Sequence, residues 1–177
     1  LRLCAGADVF VQNFRPGVAD RLGLGEAAVR AARGDIVYVS IAGFGFEGDW
    51  AGRPVYDPLI QALSGLASVQ GGGARPRLVR TILPDKVTAI QAAQAITAAL
   101  LARARTGAGT HLRLSMLDTV VAFLWSSDMA GYTFVGDEAR EEAGRENAQS
   151  FVELVYQTAD GWMAVSAHTD ATWAGLC

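Results

Sequence analysis

The run Asn13-Phe14-Arg15-Pro16-Gly17 places an amide, an aromatic ring and a guanidinium directly after a short apolar strand. Proline pre-sets the backbone for the start of a helix, and strand ends in α/β sheets are common sites for small ligands. A guanidinium presents a planar fork to phosphate, and an aromatic ring presents its face to a base. The residues by themselves therefore predict a nucleotide or phosphate clamp formed by Asn13, Phe14 and Arg15.

Asp85 begins the clearest helical pattern of the chain, which we predict over residues 85–105. Asp is a preferred N-cap residue, so its position alone favours a structural cap over a catalytic role. Free backbone N–H groups and the positive end of a helix also favour the ionised form of a carboxyl group placed there. Position therefore predicts an ionised Asp85 at the N-cap, and it leaves a further role open.

The run Gly43-Phe44-Gly45-Phe46-Glu47-Gly48 matches the G-x-G-x-x-G pattern of dinucleotide-binding loops and follows a predicted strand. Dinucleotide binding requires a helix directly after the loop, so that its amino terminus meets the diphosphate. Gly52 and Pro54 would interrupt such a helix, and no acidic residue stands ~20 positions further on. We therefore interpret the run as a loop without NAD or FAD.

The composition excludes several classes of protein. Of the 177 residues, 51% are hydrophobic and 19% are charged, and the net charge is −3. Apolar material suffices for a core, and the absence of a long basic run argues against nucleic-acid binding. The apolar stretch 90–101 is interrupted by two glutamines and is short for a bilayer, so we expect no membrane partner. Cys4 and Cys177 lie at opposite ends, which fits a cytoplasmic protein without disulfides or a metal site.

The spacing of apolar residues predicts alternating strands and helices. Strands are predicted over Val9–Gln12, 35–42 and His111–Ser115, where apolar and β-branched residues show no helical period. Helices are predicted over 17–22, 26–33, 57–68, 85–105 and 116–134, with Asp57 as the N-cap of the third. These residues, 1–135, form the core of a predicted α/β fold with a parallel sheet.

A second, smaller domain is predicted to begin near the end of the chain. The charged and polar stretch 136–150 is typical of a linker. Two short strands, 151–156 and 162–167, flank the hairpin turn signal Asp160-Gly161. Residues 151–177 are therefore expected to open a small C-terminal domain.

Four blocks follow one another in a specific order and spacing: ADVFVQNFRPGVADRLGLG, DIVYVSIAGFGFEGDWAGRPVYDPLIQALSGL, PDKVTAIQAAQAITAALLARARTGAGTHLRLSMLD and YQTADGWMAVSAH. Together they resemble the family III acyl-CoA transferases, of the formyl-CoA transferase and carnitine CoA-transferase type, which are related to the α-methylacyl-CoA racemases. The resemblance implies a Rossmann-like core followed by the start of a small α+β domain. Because members of that family are longer, we expect an internal fragment.

The resemblance implies that Asp85 is the catalytic nucleophile. In that family the catalytic Asp precedes a helix that ends in R-x-R/K-T-G-x-G, which residues 103–109 match. The implied reaction transfers coenzyme A between carboxylic acids through a covalent aspartyl-CoA intermediate. Ala89 departs from the pattern, since relatives often carry Gly there, and it predicts a narrower pocket.

Further positions are implied to contact coenzyme A. The adenosine phosphates would lie near Arg15 and Arg21, and the adenine near Asn13, Phe14 and Val18. Met116 would contact the arm of the cofactor, with ordinary core packing as the alternative. Coenzyme A and acyl-CoA enter this scheme as substrates, with no permanently bound cofactor and no metal. The family also implies an interlocked homodimer.

Tyr56 distinguishes transferase from racemase within the resemblance. The racemase branch carries His-Asp where this chain has Tyr56-Asp57. A racemase must remove and return an α-proton, which requires a base that titrates near neutrality, as His does and Tyr does not. We therefore predict a transferase in which Tyr56 lines the pocket or packs on the following helix. The alternatives are an acyl-CoA racemase and a non-catalytic CoA-binding fragment, and His111 and His168 are expected at the surface.

Overall fold

The computed structural model describes residues 1–72, 75–125, 128, 154–167 and 169–177. Three parallel strands, β1 (Val9–Gln12), β2 (Val37–Ala42) and β3 (His111–Ser115), form a sheet with β2 at its centre. The bounds of β1 and β3 are those predicted, and β2 begins two residues later than predicted. The predicted α/β core with a parallel sheet is confirmed.

The helices connect the strands in the order expected for parallel pairing. They are α1 (Val18–Arg21), α2 (Glu26–Ala32), α3 (Asp57–Leu63), α4 (Leu66–Gly71), α5 (Leu83–Thr106) and α6 (Met116–Trp125). The single helix predicted over 57–68 is two helices, because Gly65 adopts a left-handed φ of 87° between them. The linker predicted over 136–150, and the end of the helix predicted over 116–134, lie outside the described residues.

A hairpin follows near the carboxyl end of the chain. Strands β4 (Val155–Gln157) and β5 (Trp162–Ala164) pair antiparallel around the predicted Asp160-Gly161 turn. Helix α7 (Asp170–Leu176) begins with a capping box in which Thr169 and Thr172 exchange hydrogen bonds. The hairpin is present where the sequence predicts it. Strand β5 ends three residues before its predicted bound, and residues 151–153 of the first predicted strand lie outside the described residues.

Strand β2 is buried on both faces, which explains its nearly continuous apolar sequence. Val37 and Val39 pack against Ala92 of α5 on one face. Tyr38 packs with Val29 of α2 on the opposite face. Helices therefore cover both sides of the sheet, as the parallel arrangement requires.

Helix α5 has 24 residues and a length of about 36 Å, so by length and composition alone it could cross a membrane. The sequence instead led us to expect an apolar segment, 90–101, that is interrupted by two glutamines and too short to span a bilayer. Its Ala92 and Ala99 are buried in the cluster formed with β2 and β3. Within the described chain, one side of α5 therefore packs against the sheet, while most of the helix is not buried.

Neither predicted N-cap is correct. Helix α5 begins two residues before Asp85, at Leu83, so Asp85 is the third residue of its first turn. Helix α3 is preceded by Tyr56 as N-cap, and Asp57 is its first residue. Neither cap position has a side-chain capping hydrogen bond. The carboxylate of Asp57 instead binds groups outside the first turn of α3.

An ion-pair cluster fixes the amino-terminal edge of the sheet. Arg103 near the end of α5 contacts Asp8 at 2.7 Å and Asp35 at 3.7 Å, and Arg33 contacts both carboxylates at 2.9 Å. Hydrogen bonding to Arg103 is the largest cause of the lowered pKa of Asp8, and hydrogen bonding to Arg33 that of Asp35. The cluster ties α5 to the residues that precede β1 and β2.

Because folding lowers the pKa of Asp8, its contribution to stability is present above the ordinary value of 3.8 and is lost as the pH falls through the lowered value. We therefore expect Asp8→Asn to unfold at lower urea concentration than the wild type near neutral pH. The difference between the two midpoints should shrink below pH 3.8. Urea titrations across that pH range measure it, and a pH-independent difference would contradict the assignment.

Candidate active site

A cavity of about 560 Å³ lies at the carboxyl edge of the sheet. Its walls include residues 13–16 after β1, Gly43 after β2, and Met116 after β3. Parallel strands bring their carboxyl ends to one edge, which is where α/β proteins bind ligands. Asp85, from the first turn of α5, completes the wall beside Tyr56 and Asp57.

The cavity brings together six of the eight residues predicted to form the site. These are Asn13, Phe14, Arg15, Tyr56, Asp85 and Met116. Val18 and Arg21 do not line it; Val18 is half-buried and Arg21 is exposed on α1. Met116 also packs against the apolar cluster formed by α3, α4 and α6, so core packing is observed, while its contact with coenzyme A stays a prediction.

A buried polar network positions the start of α5. The Asp57 carboxylate accepts the backbone N–H of Asp85 at 3.3 Å and the side-chain N–H of Gln61 at 2.6 Å. Gln61 Oε1 accepts the N–H of Val79 at 2.8 Å, and its Nε2 also donates to the carbonyl oxygen of Thr81 at 3.1 Å. The network thus links α3, the segment before α5 and the backbone of Asp85.

Burial raises the pKa of Asp85, and the nearby charge of Asp57 raises it further. The helix end was expected to favour the ionised form of Asp85 and so to lower its pKa, and this expectation is wrong in direction. Asp85 is nevertheless exposed at the cavity wall, so a substrate can reach it. A carboxylate destabilised by a like charge is more basic than an ordinary aspartate, which suits attack on a carbonyl.

Two guanidinium groups border the cavity. Arg53 lies over the ring of Trp50 at 4.5 Å, and that ring in turn contacts Phe44 edge to face. Neither Arg15 nor Arg53 forms an ion pair with another described residue. Free guanidiniums of this kind recognise phosphate. The sequence analysis missed Arg53, although it follows the glycine-rich loop.

The glycines of the G-x-G-x-x-G run serve the loop conformation. A Cβ on Gly43 would overlap the side chain of Val55, while Gly45 and Gly48 both adopt a φ of 81°. Turns and bends, not a helix, follow Gly48 up to α3. The interpretation of this run as a loop without a dinucleotide-binding helix is confirmed.

His111 does not lie free at the surface as predicted. Its Nδ1 is 2.7 Å from Glu26 Oε2 and its Nε2 is 2.9 Å from the hydroxyl of Ser40. The ring does not line the cavity, so it is not placed to act on a substrate there. His168 lies outside the described residues.

Thr88 carries the buried side-chain oxygen that, within the described residues, has no hydrogen-bond partner. It lies one helical turn after Asp85 and lines the cavity. Elsewhere in α5, the Thr97 hydroxyl donates to the carbonyl of Ala93 at 2.9 Å. An unpaired buried hydroxyl lowers stability, so Thr88 destabilises the fold. The periodicity of the sequence does not reveal this effect.

We expect Thr88→Val to raise the free energy of unfolding by about 1 kcal/mol, because the variant keeps the shape and removes an unpaired polar atom. Chemical denaturation measures the change. Thr97→Val is the matched control: it removes a satisfied hydroxyl from the same helix and should not stabilise the protein. Equal stabilisation by both changes would show that the added methyl group, and not the loss of the unpaired oxygen, is responsible.

The parallel sheet, and the cavity at its carboxyl edge lined by a carboxylate and two arginines, define an α/β protein with a candidate site for an anionic ligand. The sequence matches the model of CoA-transferase family III over residues 1–177. The chain therefore belongs to CoA-transferase family III, and the predicted family is confirmed.

Several characterised proteins are similar to this chain. Acetyl-CoA:oxalate CoA-transferase of Acetobacter aceti is 34% identical over 100% of the chain and 46% of its own length. Succinyl-CoA:glutarate CoA-transferase of Mus musculus is 31% identical, over 99% of the chain and 40% of its own length. The crystal structure of a CAIB/BAIF family protein from Brucella suis superposes with a TM-score of 0.81 at 26% identity, covering 99% and 46%. The chain thus spans less than half the length of these relatives.

Proposed function

We propose that the protein transfers coenzyme A between carboxylic acids, with Asp85 as the nucleophile. The observation that carries this proposal is the single cavity wall shared by Asp85, Tyr56 and residues 13–15. The guanidinium of Arg15 and that of Arg53 suit the phosphates of coenzyme A, and the ring of Phe14 suits its adenine. Two of the relatives, the acetyl-CoA:oxalate and succinyl-CoA:glutarate enzymes, are CoA-transferases by name.

In the proposed reaction a carboxylate oxygen of Asp85 attacks the thioester carbonyl of an acyl-CoA and expels the CoA thiolate. The resulting acyl-aspartyl anhydride is attacked at the aspartyl carbonyl by that thiolate, which releases the donor acid and leaves an aspartyl-CoA thioester. The acceptor carboxylate attacks the aspartyl carbonyl of this thioester, which forms a new anhydride and expels the CoA thiolate again. The thiolate then takes the acceptor's acyl group and restores the free carboxylate of Asp85.

The surroundings of Asp85 support a transferase over a racemase. No histidine of the described residues lines the cavity, because His111 is bound to Glu26 and Ser40 on another part of the sheet. Tyr56 occupies the cavity wall and is 82% exposed, so its hydroxyl is available to a substrate carboxylate. Racemisation would need a base that titrates near neutrality, and among the described residues no histidine on this wall supplies one.

Incubation with a donor and an acceptor tests the proposal directly. The native-length protein is mixed with acetyl-CoA or succinyl-CoA and with oxalate or glutarate, and the acyl-CoA products are identified by mass spectrometry. A new acyl-CoA that requires the acceptor supports transfer. Deuterium entering the α-carbon of a branched acyl-CoA in heavy water without any acceptor would instead establish the racemase alternative. CoA binding without either reaction would establish the non-catalytic alternative.

Activity should fall in acid as Asp85 takes up a proton. Because burial and Asp57 raise its pKa, the inflection of kcat/KM should lie above the ordinary aspartate value of 3.8. We expect Asp57→Asn to move that inflection downward, since it removes the like charge. The pH dependence of kcat/KM in both proteins is the measurement.

Asp49→Asn is the control for the pH profile, because Asp49 is an exposed carboxylate in the loop before α3 and does not line the cavity. This variant should retain the wild-type inflection. A profile that Asp57→Asn leaves unmoved would show that the Asp57 charge does not act on the nucleophile.

We also propose that the protein forms a homodimer. Ile90 and Leu101 on α5, together with Phe123 on α6, are each more than half exposed. Large apolar side chains exposed to this extent favour burial against another chain. Sedimentation equilibrium of the native-length protein distinguishes a dimer from a monomer.

A further inference from the structure

A continuous chain of hydrogen bonds joins helix α2 to the turn that follows β1. The backbone N–H of Phe14 donates to Gln12 Oε1 at 2.8 Å, and Gln12 Nε2 donates to Ser40 Oγ at 2.9 Å. Ser40 Oγ lies 2.9 Å from His111 Nε2, and His111 Nδ1 lies 2.7 Å from Glu26 Oε2. Four side chains, from α2 and all three strands, thus connect to one backbone amide at the cavity.

The donors and acceptors give this chain a direction. A carboxylate only accepts, so His111 holds a proton on Nδ1 toward Glu26, and in the neutral ring Nε2 accepts from the Ser40 hydroxyl. The Ser40 oxygen then accepts the side-chain N–H of Gln12. This bond orients the Gln12 amide so that its Oε1 faces the N–H of Phe14. Because each inner group has a partner on either side, removing one deprives both neighbours of a hydrogen bond, although Glu26 keeps its ion pair with Arg30 at 2.7 Å.

The order serine, histidine, acid is also that of the serine hydrolases. Ser40 is only 3% exposed, lies within the central strand β2, and does not line the cavity. Its hydroxyl also accepts a hydrogen bond from Gln12. A substrate therefore cannot reach the Ser40 oxygen in the structure, so the hydrogen-bond chain must have a role other than nucleophilic catalysis.

We propose that Gln12, Ser40 and His111 are positioning residues that hold the turn 13–15 in the conformation that binds coenzyme A. This inference rests on the proposed function. The ring of Phe14 is 42% exposed, so burial alone does not fix the turn. The bond from its backbone N–H ties the turn to the sheet, and the groups behind Gln12 fix the orientation of that amide. Ser40 and His111 thereby act on CoA binding without contacting the ligand.

The test combines two measurements on the native-length protein: hydrogen exchange of the Phe14 amide by NMR, and the Kd for coenzyme A by calorimetry. The variants are Gln12→Met, Ser40→Ala and His111→Phe, each close in size to the original side chain. Tyr38→Phe is the matched control, because its ring contacts His111 edge to face while its hydroxyl bonds Leu24 outside the chain.

We expect each of the three variants in the hydrogen-bond chain to speed hydrogen exchange of the Phe14 amide. Each should also raise the Kd for coenzyme A by about tenfold. Turnover at saturating substrate should stay within about twofold, since the chemistry at Asp85 is untouched. The control should lose thermal stability and keep both the wild-type exchange rate and the wild-type Kd. The double variant of Gln12→Met and His111→Phe should bind no more weakly than Gln12→Met alone, because both changes break one chain.

Unchanged Phe14 exchange in Ser40→Ala and His111→Phe would overturn the proposal, whatever happens to binding. Faster exchange with an unchanged Kd, or effects that add in the double variant, would also overturn it. If the wild type does not bind coenzyme A, the proposed function fails, and the positioning role for that ligand fails with it. The exchange data would then still show separately whether the chain orders the turn.

Discussion

Asp85→Asn is expected to lower kcat for CoA transfer by at least about 10⁴-fold, because it removes the oxygen that attacks the thioester. The amide keeps the size of the side chain, and the backbone N–H still donates to Asp57. Coenzyme A should therefore bind to the variant with nearly the wild-type Kd. Steady-state kinetics and calorimetry on the same preparation measure the two quantities.

A trapping experiment separates a covalent role from an electrostatic one. Hydroxylamine added to the wild type with acyl-CoA should convert the aspartyl thioester into a hydroxamate on the peptide that contains Asp85. Asp49→Asn, which alters an exposed carboxylate away from the cavity, should trap and turn over like the wild type. Full turnover in Asp85→Asn, or a hydroxamate on another residue, would refute the assignment.

Gln61→Leu is expected to lower the free energy of unfolding by about 3 kcal/mol, since it leaves several buried polar groups without partners. Gln61 is 2% exposed and bonds the Asp57 carboxylate, the N–H of Val79 and the carbonyl of Thr81. A leucine fills the volume and satisfies none of them. Urea unfolding monitored by circular dichroism gives the change.

The matched control for this variant is Gln94→Leu, which introduces the same substitution at an exposed position of α5. Its unfolding free energy should stay within about 0.5 kcal/mol of the wild type. Because Asp57 also accepts the Asp85 N–H, Gln61→Leu should disturb the start of α5 and reduce turnover as well. Equal losses in the two glutamine variants would show that the buried network contributes little.

The local sequence was sufficient for the strands and for the turn after β1. Apolar and β-branched runs gave the bounds of Val9–Gln12 and His111–Ser115, and the Asn-Phe-Arg run predicted a turn that lies at the cavity wall. Helix ends were predicted less well. Asp85 and Asp57 have the residue type of N-caps, yet their carboxylates are partly desolvated or bonded elsewhere, which propensity does not encode.

Contacts between distant residues needed the tertiary structure. His111 meets Glu26 and Ser40 across sequence separations of 85 and 71 residues, because the parallel register places β3 beside β2 and α2 over the same face. A lone histidine gives no local sign of such partners. The same holds for Arg53, which lines the cavity while its guanidinium lies over the ring of Trp50.

The sequence by itself determined the family, the parallel α/β core and the chemical types of the residues at the cavity, since these follow from short-range patterns and block order. Only the tertiary structure decided which groups share an environment. It placed Asp57 against the backbone of Asp85, raised the pKa of that carboxyl, and excluded Arg21 from the wall. Electrostatic and hydrogen-bond effects depend on distances of a few ångströms between separate segments, and those distances are set when the chain packs.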